Sequence, residues 1–124
     1  MLKKTLKAAF ICFSVSSLLP NFSFACSCMQ LSEQQALENS EVAFVGTVTK
    51  VWESKGSHGV GRYTVSFKVE RFLKGSFTGP SVVTTATNGA ACGYNFQEGT
   101  KYKVFARAYE GTYTTGLCSG NTPL

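Results

Sequence analysis

The sequence predicts an all-β fold with one short helix, a five-stranded barrel closed by two disulfides, and three observations carry that prediction. Stretches rich in Val, Phe, Thr and Tyr recur with turn residues between them. Two of these stretches alternate apolar and polar residues with the period of two that a half-buried strand requires. Four cysteines remain once an N-terminal leader is set aside, an even number suited to bridges in an exported chain.

The leader comes first in the chain. Lys3, Lys4 and Lys7 form a basic start, residues 8–19 are apolar apart from small serines, and Pro20 ends the run. Ser23 and Ala25 put small residues at the two positions a signal peptidase reads, and the apolar run is too short to span a bilayer. We therefore read residues 1–25 as a cleaved signal peptide and residues 26–124 as one compact domain, exported to the extracellular space or a periplasm. A cysteine next to such a cut can instead be lipidated as a surface anchor. That pattern has Leu three residues before the cysteine and a small residue two before it, where this chain has Ser23 and Phe24. Cleavage also removes Cys12 and leaves Cys26, Cys28, Cys92 and Cys118. A C-x-C followed by two isolated cysteines lacks the paired spacing of a structural zinc site, so disulfides are expected.

The elements of the domain follow in order. Ser32 and Gln35 have the spacing of a capping box and open a short helix over residues 33–39. Residues 41–53 have the composition of a long strand, with Gly46 marking a bend or bulge. After a glycine-rich turn at 56–61, Tyr63, Val65, Phe67 and Val69 face one way and Arg62, Thr64, Ser66, Lys68 and Glu70 the other. Lys74-Gly75 and Gly79-Pro80 break the chain, residues 81–87 form a third strand, and Asn88-Gly89 ends it. A loop around Cys92 leads to a fourth strand over 101–109, with Tyr102, Val104, Ala106 and Ala108 on one face. Glu110-Gly111 is a tight hairpin into a fifth strand over 112–117. Five short strands with one helix fit a Greek-key barrel of the OB type.

Composition excludes several functions. Three lysines leave with the leader, so nine basic and seven acidic residues remain and no Lys/Arg run offers a stripe for nucleic acid. The chain has no Asp, its glutamates are scattered, and its one histidine, His58, lies in a glycine-rich turn. A nucleophile, base and orienting group within hydrogen-bond reach have no candidates here, so the protein is not expected to be an enzyme.

The unusual feature is Cys26-Ser27-Cys28 at the mature N-terminus. Cysteines two apart in extended chain are poor partners for each other, so each should reach Cys92 or Cys118. Cleavage frees the α-amine of Cys26, whose reference pKa is about 7.7–8.0. That amine and the carbonyl of the same residue form a five-membered chelate. A protease zinc with an open coordination position can accept such a chelate, and a terminus already pinned by disulfides presents it with little ordering cost.

These residues resemble the N-terminal, netrin-like domain of the tissue inhibitors of metalloproteinases. The resemblance begins at the C-x-C after the leader and continues through Phe44-Val45-Gly46, Arg62-Tyr63, Phe72-Leu73-Lys74-Gly75 and Cys92-Gly93-Tyr94. It ends in residues 114–119, where Gly116-Leu117 is inserted into the family's Thr-Thr-Cys-Ser. It implies an OB-fold and pairing of Cys26 with Cys92 and of Cys28 with Cys118. It also implies a protease-binding ridge made of Cys26, Ser27, Cys28 and Met29 beside Ala90, Ala91 and Cys92. Cys26 would chelate the zinc of the target, Ser27 would enter the specificity pocket, and Met29 would lie further along the cleft. The partner would be a zinc metalloproteinase bound by a monomer that has no cofactor of its own, and no membrane contact would follow signal cleavage. The family's third disulfide, its helix after the last cysteine and its C-terminal subdomain have no counterpart in this sequence, and the 56–61 turn is short.

Two other functions compete. A netrin-like module without inhibitory activity would use exposed aromatics such as Trp52, Tyr109 and Tyr113 as platforms for its ligand. A thiol oxidoreductase would need a thiolate stabilised by a basic neighbour, and the sequence has none near Cys26 or Cys28.

Overall fold

A computed structural model of the chain describes residues 26–55, 61–87 and 92–124. The expected leader over residues 1–25, residues 56–60 with His58, where a turn was expected, and residues 88–91 with Ala90 and Ala91 lie outside the described residues. The elements are helix α1 (Glu33–Glu38) and strands β1 (Val42–Lys55), β2 (Gly61–Lys74), β3 (Val82–Ala86), β4 (Lys101–Tyr109), β5 (Thr112–Thr114) and β6 (Thr122–Pro123).

The first five strands close a ring in the order β1, β2, β3, β5, β4 and back to β1. All of these pairings are antiparallel except β3 with β5, which run parallel at Thr84 and Thr114. The long β1–β2 ladder carries three register shifts, one of them between Val45 and Gly46. Each shift adds local bend and twist, which lets one continuous hairpin wrap around a small barrel. Gly46 is where the bend meets the core: a side chain there would sit 3.0 Å from the Lys68 carbonyl oxygen and against the Phe44 ring.

The barrel interior holds Val42, Phe44, Val48, Val65, Phe67, Val83, Phe96, Tyr102, Val104 and Ala106. The faces expected for β2 hold, with Val65 and Phe67 buried and Tyr63 and Val69 packed against them. On β4 the expectation holds for Tyr102, Val104 and Ala106 but not for Ala108, which is exposed. Ala108 lies beyond the end of the β1 partner, its amide donating instead to the Glu41 carboxylate at 2.7 Å. The opposite face of β4 is also covered, because Phe105 packs with Ala36 of α1 and Ala43 of β1.

Ser32 and Gln35 make the capping box, each side chain bonding the other's backbone N–H. The other end of α1 is tied to the barrel by Lys74, whose Nζ donates to the Leu37 carbonyl at 2.7 Å. Gly75 follows with φ +61°, and a side chain there would collide with the Glu41 carbonyl oxygen. Lys74-Gly75 is therefore a joint: the lysine caps the helix and the glycine lets the chain pass beside β1.

The helix and the first and third strands shift by one or two residues at their ends, and the chain after Thr114 departs further from expectation. The fifth strand stops at Thr114 rather than 117: the Thr115 amide still bonds Thr84, the β3 partner of Thr114, but the Leu117 amide turns away to Cys92. After Cys118 the chain forms the two-residue β6, which pairs with β4 at Tyr102 and Lys103. At the predicted hairpin, Glu110 and Gly111 both have positive φ, as a two-residue primed turn requires.

Candidate functional site

Residues 26–31 have no regular secondary structure and no charged side chain. They are held at both ends. Cys26 is bonded to Cys92 with the Cα atoms 5.8 Å apart, and Cys28 to Cys118 at 5.1 Å. These are the pairs that the family resemblance implied. Leu31 packs into the cluster of Ala36, Ala43 and Phe105, and Ser32 then caps α1. Ser27 and Met29 lie exposed between these anchors, Met29 with 78% of its surface in solvent.

The two receiving cysteines sit on a platform that the sequence alone did not reveal. The Leu117 amide donates to the Cys92 carbonyl at 2.8 Å, so the segments carrying the two bridges are bonded to each other. Gly116 allows this approach, since a side chain there would lie 2.8 Å from the Cys92 carbonyl oxygen. The inserted Gly116-Leu117 is thus what joins the two staples.

Each segment is fixed in turn to the barrel. A side chain at Gly93 would overlap the Ala86 carbonyl, and the Tyr94 amide donates to the Thr85 hydroxyl at 2.9 Å. Cys-Gly-Tyr is therefore a close backbone crossing over the end of β3, with the Tyr94 ring 4.7 Å from Phe96 and 5.9 Å from Tyr102. On the other side Thr115 donates to the Phe105 carbonyl at 2.6 Å. Asn121 accepts from the Phe105 amide at 2.8 Å and donates to Thr115 Oγ1 and the Gly116 carbonyl. Asn121 and Thr115 were missed because a single polar residue in a turn carries no periodic signal.

Comparison with known proteins bears on this arrangement. No family model matches the chain. The chain is 31% identical over 117 residues to Metalloproteinase inhibitor 3 of Gallus gallus, an alignment covering 90% of this chain. That likeness supports the resemblance to the tissue inhibitors of metalloproteinases drawn from the sequence. The chain spans about half the length of that relative, 53% of it, and the likeness concerns the domain described above.

The sequence-predicted residues fall into three groups. Cys26, Ser27, Cys28, Met29, Cys92 and Cys118 are gathered at one place by the two bridges. Ala90 and Ala91, expected beside them, lie outside the described residues. The aromatics weighed for a binding module are dispersed: Trp52 is 39% exposed with Lys50 Nζ 5.4 Å from its ring centroid, and Tyr109 is exposed on the β4–β5 hairpin. Tyr113 packs inward with its ring 5.2 Å from Phe77.

Proposed function

We propose that this protein is a secreted inhibitor of zinc metalloendopeptidases that acts through its mature N-terminus. The observation that carries the reading is the doubly stapled, exposed and uncharged segment 26–31, in a chain related to a protein named Metalloproteinase inhibitor 3. In this reading, cleavage after Ala25 frees the Cys26 amine. That amine and the Cys26 carbonyl then occupy the open position on the target's zinc, displacing water. Ser27 enters the specificity pocket, and Met29, Ala90 and Ala91 extend the contact. The zinc is the target's, and the inhibitor supplies backbone ligands on a support that has already lost its conformational freedom.

The test is a panel of zinc endopeptidases assayed against three forms of the exported protein. Adding one alanine before Cys26 removes inhibition while leaving circular dichroism unchanged, because the extension replaces the amine by an amide and touches no core residue. Ser27→Arg changes which proteases are inhibited rather than abolishing inhibition. Equal potency of the processed and extended forms would overturn the chelation mechanism. Intact mass and N-terminal sequencing of the exported protein separate a free Cys26 amine from a lipidated or uncleaved one.

A further inference from the structure

The bridge between Cys28 and Cys118 borders a cleft. Both cysteines are exposed, and beside Cys118 a space of about 100 Å³ opens between α1, β4 and the turn after β5. Buried Ala36 and Phe105, together with Leu31, supply its apolar part. Cys118 lines it and Cys28 does not, so the cleft approaches the bridge from the Cys118 side. Arg107 lines it too.

The charge of Arg107 is not spent within the chain. The residue follows Phe105 by two on the outer face of β4 and is exposed. Neither ion pair among the described residues involves it. All seven acidic residues of the chain are glutamates within the described residues, so the undescribed segments hold no side-chain carboxylate for it either. The nearest in register is Glu41, since Val42 pairs with Ala106, and its carboxylate accepts from the Ala108 amide instead. The sequence puts no basic residue near Cys26 or Cys28, yet the fold brings one to the bridge. A disulfide is opened by a thiolate, and exposed bridges are the ones open to such exchange. The reaction spreads negative charge over the attacking, central and leaving sulfurs. A guanidinium beside them favours that charge and draws in a thiol that is itself anionic. A cavity of about 150 Å³ takes a benzene ring, so the smaller cleft here admits the thiol arm of a small molecule.

We propose that Cys118 is a thiolation site, where a small thiol carrying carboxylates exchanges with the Cys28–Cys118 bridge under the guidance of Arg107. The incoming thiolate sulfur bonds Cys118 Sγ, the Cys28–Cys118 bond breaks, and Cys28 leaves as a thiolate that takes a proton from solvent. One disulfide replaces another, so the exchange consumes no further oxidant or reductant. The Cys26–Cys92 bridge, two residues from Cys28, keeps that thiol close to the adduct. Attack by Cys28 on the adduct then expels the small thiol and restores the bridge. Arg107 is a positioning residue, and the exchange does not depend on protease inhibition.

Reduced glutathione is the probe, with cysteamine, a thiol carrying an ammonium group, as the cationic control. The exported, oxidised protein is treated with each, quenched in acid at intervals, alkylated and mapped without reduction. Glutathione is found on Cys118 with Cys28 alkylated, while Cys26–Cys92 stays intact. Arg107→Gln slows this adduct about three-fold at low salt, the size of one exposed charge contact, and added salt removes the difference. Arg107→Lys, which keeps the charge, retains most of the original rate. With cysteamine Arg107→Gln brings no slowing, a result that a merely structural role for the arginine would not give. Circular dichroism shows that both variants fold. The absence of any adduct, an adduct formed first on another cysteine, equal glutathione rates in the original protein and Arg107→Gln, or the same slowing with cysteamine overturns the proposal.

Discussion

The barrel wall and the N-terminal segment reach rigidity by opposite means. In the wall, residues such as Phe44, Val65 and Val104 are wholly buried, and their strands are laddered on both sides. Residues 26–31 bury little beyond Leu31 and belong to no ladder; two covalent bonds and one capped helix hold them in place. Burial fixes a strand but hides its side chains. Crosslinking fixes a segment while leaving its side chains and backbone open to a partner. A surface that must be both rigid and exposed therefore calls for the second device.

The contrast can be broken from either side. Phe44→Ala removes a fully buried ring that contacts Phe67, Phe72 and Phe77, and should cost about 3–5 kcal/mol. Urea denaturation measures that loss, and peptide mapping should still find both bridges; a loss under about 1 kcal/mol would mean that burial does not hold the wall. Replacing Cys26 and Cys92 together by Ser should cost about 2–4 kcal/mol. Here the far-ultraviolet spectrum is retained while hydrogen exchange in residues 26–31 accelerates. Unchanged exchange would show that the segment is fixed by something other than its staples.

Smaller changes sharpen the comparison at the joints. Asn121→Ala deletes a side chain with three hydrogen bonds that tie the Cys118 turn to β4. A loss of about 1–3 kcal/mol is expected, with faster exchange at Phe105. Ser32→Ala removes the cap below the staple and should cost about 1 kcal/mol, read as a lower thermal midpoint with both disulfides intact. The smallest effect belongs to the surface pair of Glu70 and Lys101, 2.9 Å apart. The hydrogen bond from Lys101 and its charge hold the Glu70 carboxyl below its ordinary value of 4.5. Its contribution is present above that value and lost as pH falls through the lowered one. Glu70→Gln should therefore leave stability near pH 7 almost unchanged and slightly flatten its decline in acid, measured by thermal melts across that range.

The fold was legible where periodicity spoke. The alternation over Tyr63, Val65, Phe67 and Val69 and the Ser32–Gln35 box each describe a local preference that the tertiary structure leaves in force. It was illegible where the chain's path depends on distant backbone. Nothing in Thr115 or Asn121 announces a turn bonded to Phe105, and β6 consists of Thr122 and Pro123, too short to show a pattern. The parallel contact of Thr84 with Thr114 likewise follows from barrel closure rather than from either residue. Of the candidate site, the cysteines were readable because crosslinking needs a specific residue type. The Leu117–Cys92 bond that joins the two bridges was not, since any residue but proline supplies an amide.

The spacing of the bridges also sets an order of events in biogenesis. Cys26 waits for a partner 66 residues later in the chain, and Cys28 for one 90 residues later. The stretch of the domain synthesised first is thus the last to be locked. Chain synthesis delivers these partners within seconds, whereas thiol oxidation takes seconds to hours and requires an oxidising compartment. Until then the segment carrying Ser27 and Met29 lacks the two covalent ties that fix it to the barrel. Oxidation thus acts as a maturation step, completing that surface only in molecules that have met an oxidising environment.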